Sequence, residues 1–237
     1  MSGDNRLPSH IAIIPDGNRR YAKQKGKPSW EGHRIGAKVF EKLLEWCKEE
    51  GIKELSFWAA STENLMRDKR EVDFLLDLFD EFCGRFLQSF EQGKIKDKVK
   101  IRFIGELDKL PEKLREKMMK ITELTKDYDD YRLNILVNYG GRWEITRAAR
   151  MIARKVKNNE LSVDDITPEV FQENLSLQSE PDLIIRTSEQ RLSGLLPWQS
   201  IYSELIFLKN KHWPEFTKED FKKCLEEYAK KNRRFGR

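Results

Sequence analysis

Short apolar runs alternate along this chain with longer stretches in which apolar residues recur every three or four positions. The runs are rich in β-branched and aromatic side chains, as in Ile11-Ala12-Ile13-Ile14, Leu55-Ser56-Phe57-Trp58 and Leu183-Ile184-Ile185. Bounded runs of this kind predict buried strands, and the 3.6-residue spacing predicts amphipathic helices. Strands are predicted over residues 11–15, 53–59, 99–105, 132–138, 183–187 and 204–207, and helices over 34–50, 71–91, 111–126, 144–157, 168–174 and 217–231. Gly51 suits a helix stop, Pro111 and Pro168 suit first-turn positions, and Thr217 with Asp220 resembles an N-cap. Strand–helix alternation implies right-handed crossovers and a mostly parallel sheet of about six strands flanked by helices. No repeat, low-complexity tract or linker divides the chain, so one α/β domain over residues 1–237 is expected.

Composition narrows the classes. Hydrophobic residues make up 38% and charged residues 36%, which predicts helices with solvated outer faces. The net charge of +5 is the small difference between 45 basic and 40 acidic residues. That balance, with no reader motif, predicts no nucleic-acid partner. Cys47, Cys83 and Cys224 are few and far apart, which suggests a reducing compartment and neither a disulfide frame nor a zinc site. His10, His33 and His212 show no metal-ligand spacing with them. The first residues lack the apolar stretch of a signal peptide, and no run reaches the roughly 18 apolar residues of a membrane span. The expectation is a cytoplasmic protein, with a peripheral membrane contact left open.

Candidate chemistry collects at the strand ends. In an open parallel sheet, ligands bind outside the carboxyl ends of the strands. There the chain reads Asp16-Gly17-Asn18-Arg19-Arg20, then Ser61-Thr62-Glu63-Asn64 to Arg67. The later strands lead to Asn138-Tyr139-Gly140-Gly141-Arg142-Trp143 and to the segment from Arg186 to Ser193. Arginines, small hydroxyls and amides on four loops of one edge are suited to gripping phosphate oxygens. No Gly-x-x-x-x-Gly-Lys-Ser/Thr loop is present, which argues against a P-loop nucleotidase.

These segments resemble the cis-prenyltransferases of the undecaprenyl diphosphate synthase type. The resemblance runs through residues 10–21, Gly32-His33-Arg34-Ile35-Gly36-Ala37-Lys38, residues 59–67 and Asn138 to Trp143. It continues through residues 182–186, Arg191-Leu192-Ser193, residues 198–205, Trp213-Pro214 and Arg233-Arg234-Phe235-Gly236. Members add isopentenyl diphosphate to an allylic diphosphate, form a cis double bond and release diphosphate. As the allylic C–O bond loosens, negative charge grows on the leaving group, where Mg²⁺ and fixed arginines stabilise it.

By this resemblance, Asp16 holds Mg²⁺, and Gly17, Asn18, Arg19, Arg20 and His33 bind the allylic diphosphate, with Asn18 near the scissile bond. Ser61, Asn64 and Arg67 belong to a closing lid, and Asn64 joins Asp16 and Asn18 as a catalytic candidate. Arg186, Arg191 and Ser193 take isopentenyl diphosphate. Glu204 supports the metal from its own or a neighbouring subunit. Arg234 and Gly236, in an Arg-x-Gly tail, complete a partner's site. Carrying both the Asp motif and the tail favours a self-sufficient homodimer over a non-catalytic partner subunit. No conventional general base stands out, which leaves a phosphate oxygen to take the proton.

Three departures bear on specificity. The family's usual Arg-Thr-Gly-Gly-Glu-x-Arg is one residue shorter here and lacks both glycines, with only Ser188-Glu189-Gln190 between Thr187 and Arg191. That shortening leaves the acceptor open. Leu65 occupies a lid position where Trp is frequent, and Ser29 one where some members carry Arg. On the helix predicted over 71–91, the apolar stripe with Leu75, Phe79, Phe82 and Phe86 would wall an apolar tunnel for the growing chain. Phe82 falls where long-chain makers have small side chains, so a short product is expected; the alternative is a long-chain product for a glycan carrier lipid.

Overall fold

A computed structural model describes residues 7–231. Its six strands are β1 (His10–Ile14), β2 (Glu54–Trp58), β3 (Val99–Ile104), β4 (Tyr131–Leu136), β5 (Leu183–Thr187) and β6 (Glu204–Leu208). All neighbours pair in parallel, in the order β3-β4-β2-β1-β5-β6. Every residue of β1, β2 and β5 is buried, the polar His10, Glu54, Ser56, Arg186 and Thr187 included, as in strands covered on both faces. The edge strands β3 and β6 are only partly buried.

The alternation within β1 divides the core. Ile11 and Ile13 face the larger cluster, which includes Leu43, Cys83, Met118 and Phe221. Those residues come from α2 (Ser29–Glu49), α3 (Lys69–Glu91), α4 (Glu112–Leu124) and α7 (Lys218–Ala229). Ala12 and Ile14 face the smaller cluster with Leu136, Tyr139, Leu177 and Leu195. Trp143, from α5 (Gly141–Lys157), packs against it, while α6 (Pro168–Glu173) lies farther along the chain.

Most predicted elements are present, with shifted ends. Thr217 and Asp220 form the expected capping box, and Pro168 opens α6, but Pro111 is an N-cap outside α4. Two differences matter for the site. Helix α1 (Asn18–Gln24) follows directly after Gly17, a helix N-terminus that the family resemblance implies and the apolar pattern does not mark. Helix α2 starts at Ser29, well before the predicted residue 34. The early turns of α2 hide behind two glycines that read as helix-weakening yet permit close packing. A Cβ on Gly32 would lie 2.0 Å from the Asn18 carbonyl oxygen.

The strand order also locates the crevice. Chain connections leave β1 toward β2 on one side and reach β5 on the other, so the order switches between β1 and β5. Their carboxyl ends carry Asp16 and Arg186.

Candidate active site

The turn after β1 is held by its backbone. Gly17 sits at φ +101°, a conformation natural to glycine, and a Cβ there would lie 2.2 Å from Ser188 Oγ. The Asp16 carbonyl accepts from Thr187 Oγ1 at 2.7 Å, the Trp213 amide at 2.9 Å and Ser188 Oγ at 3.2 Å. Three donors on one carbonyl fix where the carboxylate stands.

That carboxylate is gripped in turn. Asp16 Oδ2 lies 2.8 Å from Nη2 of the buried Arg186, and Oδ1 lies 3.1 Å from Arg20 Nη2. The Gly17 amide donates to Oδ1 at 2.7 Å. Burial opposes ionisation of Asp16, but the hydrogen bond from Arg186 and the charge of Arg20 outweigh it and lower its pKa. Arg186 also donates to Ser193 Oγ at 2.7 Å and to the Arg191 carbonyl. Arg191 Nε reaches the same Ser193 hydroxyl at 3.2 Å. Glu189 bridges the two remaining arginines, 2.6 Å from Arg20 Nη1 and 2.8 Å from Arg191 Nη1.

The shortened loop therefore still gathers Arg186, Arg191 and Ser193. Ser188 takes up the backbone strain, with φ +70° in a region that non-glycine residues avoid. That conformation costs on the order of 1–2 kcal/mol. The hydrogen bonding of the buried Ser188 hydroxyl, which can donate to the Asp16 or Lys211 carbonyl and meets His212 Nδ1, is worth about 1 kcal/mol per bond and offsets it.

A second carboxylate organises the opposite wall. Glu71, in the first turn of α3, lies 2.8 Å from Arg67, 3.6 Å from Arg19 and 3.4 Å from His33 Nε2. The His33 ring, then Arg67 and Arg19, hold its pKa at about 2 against the opposing effect of burial. Ser61 and Asn64 brace each other: the Ser61 amide donates to Asn64 Oδ1 at 3.1 Å, and the Asn64 amide to Ser61 Oγ at 3.2 Å.

Between these walls lies a cleft of about 1070 Å³, where five arginines and two lysines face Asp16, Glu63 and Glu189. Behind it an apolar pocket of about 240 Å³ is lined by Phe40, Phe57, Leu75, Phe79, Phe82 and Trp213. Pro15, Asn18, His33 and Ala59 line both. Among the described residues, five buried side-chain polar atoms lack a well-aligned hydrogen bond, and three belong to residues of the cleft: Asn18 Oδ1, Arg186 Nε and His33 Nε2, which faces Glu71 at 3.4 Å. Buried polar atoms are rarely left unpartnered without a functional reason. A cationic cleft that opens onto an apolar pocket suits a ligand with an anionic head and a hydrocarbon tail.

Residues 14–236 match the family model described as "Putative undecaprenyl diphosphate synthase". The chain belongs to the cis-prenyltransferase family. An isoprenyl transferase of Thermotoga maritima is 45% identical over 98% of this chain and 97% of that protein. A tritrans,polycis-undecaprenyl-diphosphate synthase (geranylgeranyl-diphosphate specific) of Methanopyrus kandleri is 45% identical over 99% of this chain and 86% of its own. Among solved structures, lavandulyl diphosphate synthase from Lavandula x intermedia, in complex with dimethylallyl diphosphate, superposes with a TM-score of 0.90. Its identity is 34%, over 98% of this chain and 99% of that one. A "probable undecaprenyl diphosphate synthase" of Campylobacter jejuni gives 0.77 at 36% identity, over the same shares of each chain. This cis-prenyltransferase is thus an enzyme that makes cis-prenyl diphosphates.

Most candidates from the sequence line the cleft of this cis-prenyltransferase: Asp16, Gly17, Asn18, Arg19, Arg20, His33, Ser61, Asn64, Arg67, Arg186, Arg191 and Ser193. Glu204 does not join them. It begins β6 opposite Leu183, at the amino-terminal edge of the sheet, and pairs with Lys231 at 3.1 Å. Asp16 follows the opposite edge, so the two cannot hold one ion within a single chain. Arg234 and Gly236 lie outside the described residues. Leu75, Phe79 and Phe82 line the inner pocket, while Phe86 lines an outer cavity of about 1040 Å³ on the far side of Phe82. The sequence reading missed Glu71, a carboxylate three residues into a helix with two guanidiniums and a histidine ring on it. It also assigned nothing to Ser188 and His212.

Proposed function

We propose that the cleft ionises an allylic diphosphate and that isopentenyl diphosphate is the acceptor. The observation that carries this reading is a cationic cleft backed by an apolar pocket, with Asn18 and His33 lining both. Asn18, Arg19, Arg20 and His33 hold the allylic head, its tail enters the apolar pocket, and Arg186, Arg191 and Ser193 hold the acceptor. Ser61, Asn64 and Arg67 close over both and exclude water. A phosphate oxygen of the leaving group takes the proton.

Magnesium fits the residues present. It takes oxygen ligands and uses one or two carboxylates when phosphates complete its shell. Asp16 is held ionised beside the proposed diphosphate site. Among the described residues no group of three or more His, Cys, Asp or Glu could hold a metal ion, so substrate phosphates would have to complete the shell around Asp16. When bound, the ion stabilises charge on the departing diphosphate.

Two copies form the working enzyme in this reading. Ile201 and Tyr202 are 66% and 57% exposed beside Glu204, an apolar surface suited to a second copy that would bring Glu204 and the terminal Arg234 and Gly236 to its neighbour. Among the described residues no helix is long and apolar enough to cross a membrane, so a membrane-bound product would be delivered at the surface.

Phe82 sets product length. It lines the inner pocket and the outer cavity alike, and its ring lies 5.9 Å from that of Phe40. With that ring in place the chain stops early. A long product is the second reading, favoured by the undecaprenyl names of relatives and by the outer cavity beyond the ring. The test combines protein, Mg²⁺, labelled isopentenyl diphosphate and allylic primers of graded length, followed by product sizing. Labelled short products are expected, with longer ones from Phe82→Ala. No product from any primer would overturn the reading of the cleft, and equal lengths from both proteins would overturn the role of Phe82.

A further inference from the structure

Ser188 and His212 stand behind the cleft and do not line it. Ser188 is 7% exposed, and its hydroxyl lies 2.6 Å from His212 Nδ1. The same oxygen lies 3.2 Å from the carbonyl of Asp16 and 3.2 Å from that of Lys211. A serine hydroxyl has one proton, and carbonyls only accept. With a proton on His212 Nδ1 the ring donates to Oγ and the hydroxyl keeps its own proton for the Asp16 carbonyl; with Nδ1 bare the hydroxyl would turn that proton to the ring. Holding the carbonyl through Ser188 therefore calls for His212 to carry its hydrogen on Nδ1.

The geometry points to Ser188 and His212 as a positioning pair that fixes Asp16 for prenyl transfer. His212 orients the Ser188 hydroxyl, and the hydroxyl holds the Asp16 carbonyl from the β5 side. The Trp213 amide, next in sequence to His212, holds the same carbonyl at 2.9 Å. One segment thus grips the Asp16 turn twice, once directly and once through Ser188. The hydroxyl also occupies the space over Gly17 where a Cβ would stand. Glycine would relieve the φ of +70° at residue 188 but could not reach the carbonyl, so the strained backbone carries a side chain with a task. This inference rests on the proposed role of Asp16 at the diphosphate.

The test uses Ser188→Gly, which suits the existing backbone, His212→Leu, which removes the donor, and His212→Asn, which restores an N–H. Nitrogen NMR of wild-type His212 at pH 8 should find the proton on Nδ1. Amide exchange at Gly17 and Asn18 should quicken in Ser188→Gly and His212→Leu, while thermal midpoints stay within a few degrees. In both, kcat should fall about tenfold, as small misplacements of reacting groups do, with KM for isopentenyl diphosphate within about twofold. His212→Asn should recover most of the loss. A proton found on Nε2 alone would overturn the pair. So would wild-type exchange and kcat in both variants, with Asp16→Asn inactive as the control. Full turnover by Asp16→Asn would instead overturn the reading of the site, and the NMR and exchange results would still judge the pair.

Discussion

Two carboxylate clusters sit at opposite ends of the same strands. At the carboxyl ends, Asp16 is shared by Arg186 and Arg20 and borders the cleft. Toward the amino ends, Glu54 accepts from Asn134 at 2.7 Å and from Ser179 at 2.5 Å, and lies 3.8 Å from His10 Nε2 and 3.5 Å from Arg132. Ser56 closes the second group, 2.8 Å from His10 and 3.1 Å from Asn134. Both carboxylates titrate low. For Glu54, burial opposes ionisation, and the His10 ring, Ser179, Asn134 and Arg132 outweigh it. A perturbed carboxylate beside a guanidinium therefore does not distinguish a site from a structural network. The open cleft, backed by an apolar pocket, does.

The largest expected effect tests that distinction directly. Asp16→Asn should lower kcat by about a hundredfold to a thousandfold, the range for removing an electrostatic group at a developing anion. Glu54→Gln should keep kcat within about twofold and cost about 1–3 kcal/mol, the range for a disrupted buried hydrogen bond. Steady-state kinetics and urea unfolding on both variants measure the pair. Equal losses of activity would erase the contrast.

Acid should separate the clusters next. Burial, against the pull of Glu54, holds His10 below its usual 6.5, so the unfolded chain takes up a proton that the folded chain refuses. Stability should therefore begin to fall as pH drops below 6.5. Glu71, lowered from 4.5 to about 2, adds stability that is complete above 4.5 and is lost as pH falls toward 2. Urea midpoints against pH should lose the first slope in His10→Asn and part of the second in Glu71→Gln. An unchanged first slope in His10→Asn would show that the buried cluster does not govern it.

The smallest effect belongs to Glu189. Its exposed pairs with Arg20 and Arg191 are screened by solvent and contribute little to stability. Glu189→Gln should free both guanidiniums and lower KM for a diphosphate substrate by up to about fivefold at low salt, with the gain shrinking as salt rises. A raised KM would mean that Glu189 orients the arginines more than it competes for them.

The sheet and most of the cleft were legible in the sequence because both follow local rules. Apolar runs marked the strands, and polar residues after them marked one edge. What escaped depended on contacts between elements. Helix α1 has only seven residues and one buried side chain, Ala22, too little for a periodic stripe. Glu71 looks like any first-turn acid until α3 brings it against His33 of α2 and Arg19 of α1. Ser56 reads as a flaw in an apolar strand, yet it faces His10 and Asn134. Glu204 needed the fold for the opposite reason: its place in a motif says nothing about which sheet edge it occupies, and that edge leaves a neighbouring subunit as the one it could serve.

The pairing within the cleft carries a consequence for selectivity. Arg186 is held by Asp16, and Arg20 and Arg191 share Glu189, so three cations of a basic surface are already committed. An arriving anion must compete with those carboxylates for the guanidinium charge, and it gains only what exceeds the attraction it weakens. Dense charge in a small volume meets that threshold, as two linked phosphoryl groups do. Orthophosphate brings less charge, and nucleic acids space theirs along a backbone, so both face a surface whose arginines are already engaged.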